Sequence, residues 1–91
     1  MPIYVVESYA GERLVEDQRE RARRAAESGT GIRYLRTTFL PGDETVLHLF
    51  EAPSAEALER AGRAAALPFE RIVEAVENSA PSPAQRGKET R

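Results

Sequence analysis

A chain of 91 residues with 41% hydrophobic and 31% charged side chains can build one modest core and is too balanced in composition to be disordered. Its formal net charge of −2 offers no concentrated basic surface for nucleic acid, and the absence of cysteine excludes disulfide scaffolds, thiolate metal sites and thiol nucleophiles. No apolar run approaches the roughly 20 residues of a membrane helix and no signal-peptide pattern opens the chain, so a soluble cytoplasmic protein with no membrane or nucleic-acid partner is expected.

Residues 2–9, PIYVVESY, are rich in β-branched and aromatic side chains and predict a strand that Gly11 interrupts. Residues 14–28, LVEDQRERARRAAES, contain neither Gly nor Pro and predict a helix, with acids early, arginines later and Gly29 as its C-cap. Val15, Ala22, Ala25 and Ala26 form its narrow apolar stripe. Residues 31–40, GIRYLRTTFL, alternate as a strand does, PGDE at 41–44 is turn chemistry, and TVLHLFE at 45–51 is the returning strand of a hairpin. Ser54 is a good N-cap for a second helix, whose buried side is Leu58, Ala61, Ala65 and Leu67 and whose end is set by Pro68. RIVEAVE at 71–77 predicts a last strand. From residue 78 the composition changes to NSAPSPAQRGKETR, which predicts a disordered tail on a single domain of residues 1–77. The tail carries three basic side chains and one acidic, leaving ten basic and fourteen acidic in the domain.

Strand, helix, strand, hairpin, strand, helix, strand is the split pattern of an α+β ferredoxin-like fold, βαββαβ, with a four-stranded antiparallel sheet and two helices on one face. Side chains alternate along strands, so Val46, His48 and Phe50 share one face and Leu47 and Leu49 the other. Alternation likewise groups Tyr34, Arg36 and Thr38. Assigning the leucine-rich sides to the helices leaves Tyr34, Arg36, His48 and Phe50 on the open face. The first strand is apolar on both sides, Tyr4 and Val6 against Ile3 and Val5, so both sheet faces are expected to be buried. A second copy of the chain, packed sheet to sheet, is the simplest cover, and a homodimer through the open face is expected.

His48 is the chain's single histidine. On an open face beside an arginine and aromatics it suggests a cofactor-free acid–base site for a small organic molecule, of the isomerase or cyclase type. There His48 serves as general acid or base, Arg36 holds a carboxylate, phenolate or enolate, and Glu7 orients the imidazole or acts as a second carboxylate. Tyr34, Phe50, Val46 and Tyr4 supply the substrate-binding wall. The plainer alternative is a non-catalytic structural dimer in which His48 fills the interface and hydrogen-bonds across it.

MPIYVVES, GIRYLRTTF, LFEAPSAEAL and ALPFERIVEAVE together resemble a family of small, mostly actinobacterial proteins of unknown function, over residues 1–77. One member of that family is described as a nickel-binding protein with a ferredoxin-like fold and a homodimeric assembly. The resemblance therefore implies the same fold, a dimer and, as an alternative function, binding of Ni2+ or another transition metal with His48 as ligand and Glu7 or a symmetry-related His48 beside it. Family members often carry cysteine where this chain has His48, and tryptophan and histidine where it has Tyr34 and Arg36. One imidazole per chain is a thin donor set for nickel, although a dimer doubles it.

Overall fold

The computed structural model describes residues 1–76; the tail expected at 78–91 lies outside them. Its elements run β1 (Ile3–Tyr9), a single 3-10 turn (Glu12–Leu14), α1 (Val15–Ser28), β2 (Arg33–Leu40), β3 (Thr45–Glu51), α2 (Ala55–Ala64) and β4 (Arg71–Ala75). The strands form one antiparallel sheet in the order β2-β3-β1-β4, the expected α+β ferredoxin-like arrangement.

The β2–β3 hairpin turns through PGDE, where Glu44 adopts a left-handed φ of 49°. Ser54 caps α2, its side chain accepting from the Ala57 amide at 3.1 Å. At its other end α2 stops earlier than the sequence pattern suggests. Leu67 is buried, as expected, but beyond the helix: its amide donates to the Gly62 carbonyl at 2.8 Å while that of Ala66 donates to Arg63 at 3.1 Å. This is a Schellman closure with Ala66 at φ 58° in the place glycine usually takes.

The core lies between the helices and one sheet face, built from Tyr4 and Val6 of β1, Phe50 of β3, Ala22 and Ala25 of α1, and Leu58 of α2. Fully buried Phe50 and Leu58 each contribute about 1.5–3 kcal/mol of apolar burial. Ala22 and Ala25 are fully buried in the same cluster, and their small side chains let α1 lie close to the sheet.

That packing reverses the expected faces. Tyr4, Val46, His48 and Phe50 point toward the helices, while Ile3, Val5, Leu47 and Leu49 occupy the open face, as the pairs Tyr4↔Phe50, Val6↔His48, Val5↔Leu49 and Glu7↔Leu47 require. Alternation sorts strand residues into two sets without saying which set is covered, and here both sets are apolar. The second cause is a bulge in β2. Its register steps from Tyr34↔Phe50 to Arg36↔Leu49, so Tyr34 turns inward and Arg36 outward although both have even numbers.

Candidate functional site

His48 is 0% exposed and its two ring nitrogens are engaged on opposite sides. Nε2 lies 3.3 Å from Gln18 Oε1, on α1 directly above the sheet. Nδ1 lies 2.8 Å from Thr37 Oγ1, on the neighbouring strand at the register-paired position. The chain of contacts continues outward from both ends. Ser8 Oγ donates to Gln18 Oε1 at 2.5 Å, and Tyr34 OH meets Thr37 Oγ1 at 2.6 Å. Tyr34 also packs edge-on against Phe50, ring centroids 5.7 Å apart.

One proton arrangement satisfies the whole chain. With the Gln18 carbonyl oxygen accepting from Ser8, it also accepts from Nε2–H, so the neutral ring presents Nδ1 as acceptor. Thr37 then donates to Nδ1 and Tyr34 donates to Thr37. Among the described residues no buried side-chain polar atom lacks a partner. Removal from water disfavours the imidazolium, and burial lowers the His48 pKa to about 4. A ring held neutral, sealed and doubly bonded is poorly placed to exchange protons with a substrate at neutral pH.

The other two expected catalytic residues stand on the far side of the sheet. Glu7 accepts from Arg71 Nε at 2.6 Å and from Tyr9 OH at 3.3 Å. The Arg71 hydrogen bond holds the Glu7 carboxyl below its usual pKa. Arg36 is exposed on β2 across from Leu49 and, among the described residues, has no ion-pair partner. The structure therefore brings His48, Tyr34, Phe50, Val46 and Tyr4 together beneath the helices and separates them from Arg36 and Glu7. It adds three residues that the sequence reading did not assign to the site: Ser8, Gln18 and Thr37. Gln18 had a legible signal, since it occupies the apolar stripe of α1 between Val15 and Ala22 and is buried there.

The open face carries a second feature. Ile3, Val5, Leu47, Leu49 and Val73 form its apolar centre across β1, β3 and β4, with Val73 39% exposed. Tyr9 and Leu40, 57% and 40% exposed, extend it toward the hairpin end. A cleft of about 320 Å³ between the end of α1 and α2, lined by Ser28, Gly29, Ile32, Arg60 and Ala61, lies apart from both features. No helix among the described residues is long and apolar enough to cross a membrane.

Residues 4–75 match the family model described as nickel responsive protein SCO4226-like, and the chain belongs to that family. Its fold is similar to that of SCO4226 from Streptomyces coelicolor A3(2), with a TM-score of 0.69 at 16% identity over 85% of this chain and 99% of that one. No curated protein sequence matches the chain.

The family's description raises nickel, and the donor set of this chain does not suit it. Among the described residues no three of His, Cys, Asp and Glu come together as a metal site would need. The one imidazole is surrounded by hydroxyls and an amide, and neither nitrogen has a free lone pair facing outward. Nickel favours several imidazole or other nitrogen and sulfur donors. His48 also lies on the helix side of the sheet, so a two-fold axis over the open face would not bring two copies of it together.

Proposed function

We propose that, as a member of the nickel-responsive SCO4226-like family, this protein acts as a homodimeric binding module whose two sheets pack through their open faces. The observation that carries this reading is the apolar centre of the open face, on which neither helix lies: Val73 is exposed, Ile3, Val5 and Leu47 are half-buried, and Leu49 between them is buried. An apolar sheet face left in water is a cost that a second copy packed against it removes. The charges around that centre also suit a self-complementary contact. Arg71 pairs with Glu7 and Arg33 lies 3.7 Å from Glu51, so most of the rim is neutralised within each copy.

An acid–base enzyme built on His48, Arg36 and Glu7 has less support, because the sheet separates the first from the other two. A nickel-binding role is favoured by the family's description and opposed by the donor set; a protein responsive to a metal need not ligate it. His48 on this reading is a structural group that registers α1 against β3 and β2.

Sedimentation equilibrium over a broad concentration range tests the dimer. The wild-type chain is expected to sediment as twice its 10.1 kDa mass. Leu47→Glu, which puts a charge at the centre of the face, is expected to sediment as a folded monomer. A wild-type monomer at all concentrations would sink the proposal.

A further inference from the structure

The cleft of about 320 Å³ between the helices belongs neither to the open face nor to the His48 chain, and it has the volume of a small-molecule site. One wall is the end of α1 and the residues that follow, Ser28, Gly29 and Thr30. The other is α2 at Ala57, Arg60 and Ala64, and buried Ile32 and Ala61 line the cleft between them. Gly29 lets the walls meet at their base: a methyl group there would collide with Ile32 and stand 3.2 Å from the Ala61 side chain. Alanine at 57, 61 and 64 leaves open the space that larger helix formers would fill.

The two walls carry opposite charge. Among the described residues Arg13, Arg24, Arg36 and Arg60 have no carboxylate within ion-pair distance. Arg60 differs from the other three because it lines this cleft and because it leaves a suitable partner unused. Glu56 stands four residues before it on α2, the favoured order for an intrahelical pair, and no arginine holds it. Glu20, four residues before Arg24, is by contrast already paired with Arg23. Across the cleft, the last turn of α1 holds Glu27 and no basic side chain. Among the described residues the carbonyls of Ala26, Glu27 and Ser28 accept no backbone hydrogen bond, so the negative end of the helix is uncompensated. The Ser28 hydroxyl donates to the Ala25 carbonyl at 3.2 Å, which leaves its lone pairs to accept.

We propose that this cleft binds a free α-amino acid with an aliphatic side chain. Arg60 takes the carboxylate in its planar fork, the end of α1 and the Ser28 hydroxyl take the ammonium, and Ile32, Ala57 and Ala61 cover the side chain. A plain carboxylate would lie beside the negative end of α1 and a plain amine beside Arg60, so the walls together select the zwitterion. The site goes beyond the binding module proposed above by adding a ligand, and it lies on the helix side of the sheet, so it does not depend on the dimer.

The test is an amide NMR titration of the full chain with L-leucine, with 4-methylpentanoate and 3-methylbutylamine as analogues that lack the ammonium and the carboxylate. Leucine is expected to give saturating shifts at residues 28–32 and 57–64, and each analogue to bind at least about tenfold more weakly, as loss of a charge-assisted bond requires. Arg60→Gln, an exposed helix substitution, is expected to weaken leucine by about tenfold, and Arg60→Lys by less. Ala57→Leu, which fills the cleft and leaves the charges in place, is expected to abolish binding and serves if the Arg60 variants do not fold. No saturating shift at the cleft up to the solubility of leucine overturns the site, as does undiminished binding by Arg60→Gln or Ala57→Leu. Equal affinity for 4-methylpentanoate overturns the assignment of an amino acid.

Discussion

His48 shows how a single residue can be legible in kind and illegible in place. Its position between leucines of a strand marks it as buried or functional, and Gln18 within an apolar stripe marks a buried amide on α1. That the two meet depends on which face of β3 the helices cover, which alternation does not encode. The sealed contact has a pH consequence. An unfolded histidine titrates near 6.5, whereas folded His48 titrates at about 4. Between those values the unfolded chain holds more protons, so stability contributed by this group is complete above pH 6.5 and falls as pH drops toward 4. The loss is about 3 kcal/mol by linkage. Chemical denaturation at pH 7 and pH 4.5 should show it, and the same comparison in His48→Gln should show a smaller fall. The ring resonances should neither titrate near pH 6.5 nor respond to one equivalent of Ni2+. Broadening on nickel addition, abolished in His48→Gln, would contradict a structural role.

At the scale of elements, the order of strands and helices was readable throughout because each has its own local cause. β-branched runs, a Gly- and Pro-free charged helix, turn residues at 41–44 and the Ser54 cap all act within a few residues. Two features escaped because their causes are tertiary. The β2 bulge has no glycine to announce it, and it moved Arg36 away from Tyr34 and His48. The end of α2 was expected near Pro68, yet the helix stops at Ala64 so that Leu67 can turn back into the core. Ala66 accepts a left-handed φ of 58° to make that closure, a conformation that costs an L-residue about 1–2 kcal/mol. Ala66→Gly removes the strain and adds some unfolded-state entropy, for a net gain of about 1 kcal/mol in denaturant unfolding. A loss of stability would mean that the Ala66 methyl group contributes packing that outweighs the backbone term.

For the whole molecule, the decisive fact is that one sheet has two apolar faces and helices for only one. That much was visible in β1, where Tyr4 and Val6 alternate with Ile3 and Val5. The sequence also led to the expectation of a second copy as cover, while placing on the open face Tyr34, His48 and Phe50, which the structure puts on the helix side. The interface proposed here is the open face of Ile3, Val5, Leu47, Leu49 and Val73, and the histidine chain lies on the other side of the sheet, in the core. A mixture of isotope-labelled and unlabelled chains, examined by filtered NOE spectroscopy, reports which methyl groups touch the other copy. Intermolecular contacts are expected at Val5, Leu47 and Leu49 and absent at Val46 and Val6. Contacts on the helix side, or none at all, would contradict the sheet-to-sheet dimer.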